Sequence, residues 1–371
     1  MAKSIKKKKI KIAFFTTSRA EFGNMVEIIS KIKKDKRFKV YFFLCGMHLQ
    51  KDFREVDNEI KKFGLKVTKK INFFNKKDTN KDILDSLNLF DKKLNKVFLE
   101  YKFDRCVIFG DRFELLPILN KCVILKKKLF HFGGGEKTLG SIDNKIRYIL
   151  SSAADHIFVS SNIYKKNLFN YFKFFKISEV GTQSIKKFSK KNFTEIKKLF
   201  NFDLDKKFLI LAFHTETMSS YKKNIEMLKN ILKVLKNLKL NILISAANKE
   251  IFSNEINKIL KSYEKINQNA RYIPNLGSTN FNAALSKAEF IIGNSSAGLI
   301  IAPYYKVPSI NIGKRQNGRV LHKSVINSKG SVSDIESAIT KIYRKKFRKL
   351  INKQKYKLKK KNISNIQKFF I

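Results

Sequence analysis

The sequence has no tryptophan, only three cysteines and no long run of uncharged apolar residues. Cys45, Cys106 and Cys122 are odd in number, far apart and set in apolar stretches, so we expect buried thiols rather than disulfides. No set of His, Cys and carboxylate residues has the spacing of metal ligands, so we expect neither a metal nor a cofactor. A membrane-spanning helix needs about 18 apolar residues in a row, and without one we expect no membrane partner.

Acidic residues are also scarce, with 30 Asp and Glu against 79 Lys and Arg, which gives a formal net charge of +49. Such a charge raises the possibility of a nucleic-acid partner. Only 11 of the basic residues are arginine, the excess is spread along the whole chain, and no nucleic-acid-binding module accompanies it. We therefore interpret the charge as a solvated surface that attracts anions such as nucleotide phosphates, and expect no specific nucleic-acid partner.

The N-terminus, MAKSIKKKKIKIAFF, is basic and then apolar, an order that secretory signal peptides share. Lys11 interrupts the apolar part, and Arg19 and Glu21 follow directly. We interpret this segment as a first β-strand and expect a cytoplasmic protein.

Apolar runs of strand length alternate with amphipathic stretches of helix length. The clearest runs are 10–18, 38–46, 105–110, 208–215, 240–248 and 289–296. Continuous apolar strands separated by helices are typical of a parallel sheet covered on both faces. The alternation stops in a polar stretch near 185–205 and then restarts. The sequence therefore predicts an α/β protein with two doubly wound domains, at 1–185 and 206–350, and a solvated, basic helical tail at 351–371.

Glycine, proline, histidine and arginine are scarce in this chain and gather directly after predicted strands. Ligands of doubly wound domains bind beyond the carboxyl ends of the strands, so the clusters predict a binding cleft between the two domains. They lie at 18–23, 45–49, 110–117, 131–147 and 293–319.

Two clusters of the first domain place an arginine beside a polar or acidic residue directly after a predicted strand. Ser18 can cap the first helix while Arg19 clamps a phosphate, although an ordinary cap beside an exposed arginine fits equally well. Asp111, beside Arg112, lies at the end of a strand, a position suited to acid/base chemistry or to binding a hydroxyl group.

The stretch HFGGGEKTLGSID, residues 131–143, contains three consecutive glycines. They indicate either a ligand lying against the main chain or a flexible turn before a helix. Glu136 and Asp143 are seven residues apart in this stretch and can serve as the acid and base of a proton transfer.

The second domain offers an anion site. In IIGNSSAGLIIAP, residues 291–303, an asparagine and two serines end a strand and begin a helix, and hydroxyls with free N–H groups at a helix start predict a diphosphate site. A histidine after the domain's first strand and two arginines after its last complete the set. Its members are His214, Asn294, Ser295, Ser296, Gly298, Arg315 and Arg319.

Seven motifs occur in a familiar order: TTSRAEFG, CGMHL, FGDRFE, HFGGGEKTLGSIDNKIR, FH, IGNSSAGLIIAP and NIGKRQNGR. Over about residues 10–330 the chain thereby resembles the hydrolysing UDP-N-acetylglucosamine 2-epimerases of sialic-acid synthesis. The resemblance implies a GT-B-like fold, with two Rossmann-like domains facing a cleft, and a homo-oligomer. It also implies anti elimination of UDP from a UDP-2-acetamido sugar, first of all UDP-N-acetylglucosamine, followed by hydration of the glycal to free N-acetylmannosamine.

The resemblance further implies roles for individual residues. Asp111 and Asp143 correspond to catalytic carboxylates, Glu136 is a further candidate, His214 lies at the diphosphate and Asn248 lies near the uracil. The implied contacts to the UDP-sugar are Arg19, Arg112, His214, Asn248, Asn294, Ser295, Ser296, Gly298 and Arg315.

The chain departs from the family pattern at four positions. Gly133 stands where relatives carry Glu or His, so one catalytic side chain is absent. Ile301 replaces a glutamate that holds the ribose, Tyr148 replaces a histidine and Thr215 replaces a proline. The missing ribose contact implies weaker UDP binding, a different nucleotide preference or lost activity.

Three other functions therefore stay open. The sugar can be UDP-N,N'-diacetylbacillosamine, as in legionaminic-acid synthesis. The same fold can transfer a glycosyl group to an acceptor, without proton exchange at C2. Finally, Gly133 and Ile301 fit a nucleotide-sugar binding protein without turnover.

Overall fold

A computed structural model describes residues 8–50, 56–75, 77–182, 188–356 and 366–371, without the side chains at 19, 20, 58, 59, 190, 199 and 200. Two parallel sheets with helices on both faces dominate these residues. The predicted α/β class and the two doubly wound units are confirmed.

The strands of the first sheet are β1 (Ile10–Thr16), β2 (Phe38–Cys45), β3 (Lys69–Ile71), β4 (Arg105–Phe109), β5 (Lys128–Phe132), β6 (His156–Val159) and β7 (Lys176–Glu179). Within the described residues their order is β3-β2-β1-β4-β5-β6-β7, and all pairs are parallel. The helices are α1 (Arg19–Lys34), α2 (Val56–Lys62), α3 (Asn80–Tyr101), α4 (Leu116–Ile124), α5 (Asp143–Ser152) and α6 (Asn162–Phe169), with short 3-10 helices at Gly46–Leu49 and Phe113–Leu115. Phe14 and Phe15 of β1 are fully buried in the cores on opposite faces, which explains the continuous apolar sequence of this strand.

The second sheet follows α7 (Lys190–Phe200). Its strands are β8 (Phe208–Ala212), β9 (Asn241–Ser245), β10 (Ala270–Ile273), β11 (Ile291–Gly293), β12 (Ser309–Ile312) and β13 (Val325–Ser328), in the order β10-β9-β8-β11-β12-β13 in the part of the chain that the structure describes. The helices are α8 (Tyr221–Lys236), α9 (Ser253–Ile266), α10 (Gly277–Lys287), α11 (Ser296–Ile300), α12 (Val332–Tyr343) and α13 (Lys345–Lys353). The strand order reverses direction beside the first strand of each sheet, between β1 and β4 and between β8 and β11, which is where such sheets bind ligands.

The end of the chain differs from the solvated tail that the sequence predicts. A 3-10 helix at Ile366–Phe370 returns to the first domain, where Ile366 and Phe370 are buried in the core beside α1. Burial of two apolar side chains explains why this segment docks. Residues 357–365 of the predicted tail lie outside the described part of the chain.

The buried cysteines are as expected. Cys45, Cys106 and Cys122 are all free thiols in the interior. In the described ranges, no helix combines the length and the apolar character needed to cross a membrane.

Candidate active site

A cavity of about 320 Å³ lies between the carboxyl ends of the two sheets. Loops from both domains enclose it: those after β1, β4, β5, β6 and β7 on one side, and those after β8 to β12 on the other. This is the predicted cleft, and its volume suits a small organic ligand.

Most of the predicted site residues line this cavity. They are Asp111, Arg112, Glu136, Asp143, His214, Asn248, Ser295, Ser296 and Arg315. Arg19 is the first residue of α1, and its side chain lies outside the described residues.

Asn294 and Gly298 are not among the described residues that line the cavity. The Asn294 side chain accepts from the His214 N–H at 2.7 Å and donates to the His214 carbonyl at 2.8 Å, so it holds the histidine loop. Gly298 faces Ser309 of β12, and an added Cβ would collide with that side chain, so it allows α11 to pack closely on the sheet.

The two predicted catalytic aspartates are held differently. Asp111 is ion-paired with the buried Arg147 of α5, which also donates to the Glu136 carbonyl at 2.6 Å. Asp143 begins α5, and its Oδ2 lies 3.7 Å from Nη2 of Arg315 in the second domain. Each aspartate therefore faces an arginine.

The glycine run forms a tight turn, and Gly133 lines the cavity. Gly133 and Gly135 have positive φ angles of 93° and 79°, which few other residues tolerate. A Cβ on Gly134 would collide with Ile157, and one on Gly135 with the carbonyl of Tyr164, so both pack against their own domain.

Glu136 connects the two domains. Its carboxylate is ion-paired with Arg319 of the second domain and also accepts from Ser160 Oγ at 3.2 Å. Both Arg319 and Ser160 line the cavity, so Glu136 contributes a neutralised wall at this point.

Arg112 lies between two buried carboxylates, one from each domain. Its Nη2 is 3.0 Å from Glu114 and its Nη1 is 2.6 Å from Glu250, which lies in the loop after β9. Burial raises the pKa of the Glu250 carboxyl more than Arg315 and Arg112 lower it. The second carboxyl oxygen of Glu250 has no hydrogen-bond partner among the described residues.

Arg315 is positioned by several backbone groups. Its Nε donates to the Thr215 carbonyl at 3.2 Å and its Nη1 to the Asn294 carbonyl at 3.3 Å. Its own N–H donates to the Glu216 carboxylate at 3.1 Å. A guanidinium fixed in this way loses little entropy when it binds an anion.

His214 has a defined tautomer. Its Nδ1 accepts the backbone N–H of Asn248 at 3.2 Å, so the proton of the neutral ring is on Nε2. Ser295 caps α11 by accepting the Ala297 N–H at 3.4 Å, and Ser296 follows it on the cavity wall. These groups are donors on the side of the cavity that belongs to the second domain.

The loop before α5 also binds the second domain through its backbone. Leu139 N–H donates to the Asn317 carbonyl at 3.0 Å, and Ile142 N–H donates to Thr217 Oγ1 at 2.9 Å. Between them, Gly140 lies against the Lys314 and Arg315 backbone so closely that a Cβ would overlap it. The two walls of the cavity are therefore in direct contact.

Sequence reasoning missed Glu250 and Glu21 as cavity residues. Glu250 is two residues after Asn248 and directly follows a predicted strand, so its position could have indicated a cavity residue. Glu21 follows Ser18 at the spacing of a capping box, which suggests a cap instead. In fact Ser18 makes no side-chain cap, and Glu21 accepts the N–H of Thr17 at 3.0 Å. Over the described ranges, no group of three or more His, Cys, Asp or Glu residues is arranged to hold a metal ion.

Comparison with known proteins agrees with this geometry. The model of the UDP-N-acetylglucosamine 2-epimerase family matches residues 30–364. The chain belongs to this family. The match covers both domains, including all the cavity residues except those of the β1–α1 loop and the start of α1.

Individual relatives span nearly the whole chain. The GDP/UDP-N,N'-diacetylbacillosamine 2-epimerase (hydrolyzing) of Campylobacter jejuni is 32% identical, over 92% of this chain and 89% of its own length. The polysialic acid biosynthesis protein P7 of Escherichia coli is 26% identical, over 85% of this chain and 82% of its own. Among solved structures, the UDP-GlcNAc 2-epimerase of Neisseria meningitidis bound to UDP-GlcNAc superposes with a TM-score of 0.79 at 16% identity, over 98% of this chain and 99% of its own. The fold is thus GT-B-like.

Proposed function

We propose that this protein is a hydrolysing 2-epimerase that converts a UDP-2-acetamido sugar to UDP and the free 2-epimer, a mannosamine-type sugar. The observation that carries the proposal is the division of the cavity wall. The first domain supplies Asp111 and Asp143, and the second supplies Arg315, His214 and the start of α11. The two aspartates suit proton transfer at a sugar, and the donors of the second domain suit a diphosphate, which are the two parts of a nucleotide sugar.

In the proposed first step, Asp143 removes the proton on C2 and the C1–O bond to the diphosphate breaks. The bonding electrons leave with UDP, and a C1=C2 glycal remains. Arg315, with Arg112 beside it, offsets the charge that develops on the diphosphate, and Nε2–H of His214 donates to a phosphate oxygen. Asp111, held by Arg147, supports the positive charge that develops at C1.

In the proposed second step, the glycal takes a proton at C2 on the other face and water adds to C1. The proton that Asp143 took from C2 passes to UDP or to solvent, which regenerates the carboxylate, and the net reaction consumes one water and releases UDP and the epimerised sugar. Ser295 and Ser296 contact the diphosphate in this proposal, and Asn248 lies near the uracil. Glu136 is a weaker candidate for direct catalysis because Arg319 and Ser160 occupy its carboxylate.

Two sugars are proposed as donors to be tested. UDP-N-acetylglucosamine is the one that the sequence motifs suggest. The name of the Campylobacter relative supports UDP-N,N'-diacetylbacillosamine, which carries a second acetamido group. The name of the E. coli relative supports a role for the product in the synthesis of a sialic-type acid.

The test is turnover of each donor in deuterated water, followed by NMR. We expect UDP and a free sugar deuterated at C2. UDP release without deuterium at C2 would indicate transfer or simple hydrolysis and would contradict the proposal. Binding of both donors without any turnover would favour a non-catalytic binding protein.

Asp143→Asn tests the assigned base. It removes the ionisable carboxyl but keeps the size of the side chain, so we expect a kcat at least about 100-fold lower with UDP affinity nearly unchanged. Asp205→Asn is the matched control, since that side chain is 83% exposed and pairs only with Lys287 among the described ion pairs. Equal kcat in the two variants would remove Asp143 from the catalytic set.

A further inference from the structure

Among the described residues, five carboxyl groups line the cavity, and one of them differs from the rest. Four are paired with arginine: Asp111 with Arg147, Glu136 with Arg319, Asp143 with Arg315, and Glu250 with Arg112 and Arg315. Among the described side chains, no basic group pairs with the fifth, Glu21. Within the described residues, Glu21 is therefore the cavity carboxyl without an ion-pair partner.

Glu21 is held at the start of α1 by its own loop. Its carboxyl accepts the Thr17 N–H at 3.0 Å and the Thr17 hydroxyl at 3.1 Å, and the residue is 4% exposed. Ser18 also lines the cavity, and its hydroxyl is buried without a partner in the described part of the chain. An unsatisfied hydroxyl beside Glu21 indicates that this corner of the cavity receives a polar ligand group.

Two glycines lie beside Glu21 on the cavity wall. A Cβ on Gly110 would lie 3.5 Å from Cγ of Glu21, and a Cβ on Gly133 would lie 3.5 Å from the Gly110 N. Glu21 therefore packs against Gly110, next to the turn after β5, and Glu21, Gly110 and Gly133 all line the cavity.

Burial raises the pKa of Glu21 to about 8. Hydrogen bonds from Thr17 and the charge of Arg112 oppose this change, and Glu114 adds to it. Cys45 of β2 is also close enough to interact with the charge of Glu21. At neutral pH Glu21 is therefore a protonated acid.

We propose that Glu21 is a catalytic acid that delivers the proton to C2 of the glycal. The inference rests on the proposed function, whose second step needs a donor at that carbon. The Glu21 O–H bond breaks, the C1=C2 electron pair forms the new C2–H bond, and C1 becomes an oxocarbenium ion. Water attacks C1, and its surplus proton returns to the Glu21 carboxylate, so the acid is regenerated.

The decisive variant is Glu21→Gln. Its amide oxygen still accepts the Thr17 N–H, so the loop keeps its geometry while the transferable proton is lost. We expect kcat for formation of the free epimerised sugar to fall at least about 100-fold, while UDP affinity and Tm stay near those of the wild type. Because elimination is intact, NMR should detect released UDP together with the unsaturated glycal. Turnover within about threefold of the wild type would overturn the assignment.

The pH dependence of wild-type kcat tests the same assignment if Glu21→Gln fails to fold. If the protonated acid is required, wild-type kcat declines as pH rises through about 8. Glu21→Asp, which keeps an acid on a shorter side chain, should retain part of the activity. A wild-type kcat that stays flat from about pH 7 to pH 9.5 would overturn the assignment of Glu21 but not the proposed function. Absence of UDP release from both donors by the wild type would overturn the proposed function and this assignment with it.

Discussion

Gly140 gives a direct test of the contact between the two cavity walls. It is buried in the loop before α5, where a Cβ would lie 2.6 Å from the Arg315 N and closer still to the Lys314 carbonyl. Carbon atoms pack best at about 3.5 to 4.0 Å, so Gly140→Ala must separate the loop from the second domain by about 1 Å. This separation also lengthens the contact of Asp143 with Arg315, which is 3.7 Å in the structure.

A displacement of about 1 Å at reacting groups lowers a rate on the order of 100-fold. We therefore expect Gly140→Ala to lower kcat/KM for UDP release by about this factor. We expect a small change in Tm, because each sheet has its own cores and the domains can part.

The neighbouring Leu139→Ala is the matched control, since that side chain is 58% exposed. It should change kcat/KM by no more than about twofold. If Gly140→Ala keeps kcat/KM within about threefold of the wild type, the walls need not touch during catalysis and the reasoning is wrong.

Two predictions concern stability. His131 is buried, with Nε2 donating to the Gly110 carbonyl at 2.7 Å, and burial lowers its pKa from 6.5 to about 4. The neutral His131 ring contributes fully to folding stability above pH 6.5, and this contribution, on the order of 3 kcal/mol, is lost as pH falls toward 4. The free energy of unfolding of His131→Asn, measured in urea, should therefore depend less on pH in that window than that of the wild type. Phe370→Ala should lower the free energy of unfolding by about 3 kcal/mol, because its ring is fully buried 4.8 Å from that of Phe130. Phe174→Ala, at a ring that is 99% exposed, should change it by less than about 0.5 kcal/mol, and equal losses in the two variants would contradict the docking of the chain end.

The sequence revealed the central strands but not the edges. All six apolar runs given above contain strands of the two sheets, since strands buried on both faces need continuous apolar sequence. The strands β3, β7, β10 and β13 were not predicted, and each is an edge strand of three or four residues. Edge strands are exposed on one side, so a sequence such as KKI or KISE carries too little apolar signal.

Site residues were predictable where the sequence around them showed that they follow a strand. Asp111, Asp143 and Arg315 follow predicted strands and line the cavity as expected. Ion pairs that join the two domains cannot be predicted from a local sequence pattern, because their partners are far apart in the chain. Arg112 and Glu250, for example, are 138 residues apart. The docking of Ile366 and Phe370 was hidden for a similar reason, since two apolar residues among lysines and asparagines resemble a solvated helix.

Because the ion pairs across the cleft are buried, the contact between the two domains should respond little to ionic strength. Arg112 and Glu250 are 5% and 2% exposed, whereas no described lysine is among the buried residues. Dissolved salt screens exposed charges beyond about 8 Å at physiological concentration and affects buried pairs much less. Added salt should therefore slow the arrival of an anionic nucleotide sugar at the lysine-rich surface while the two domains stay in contact.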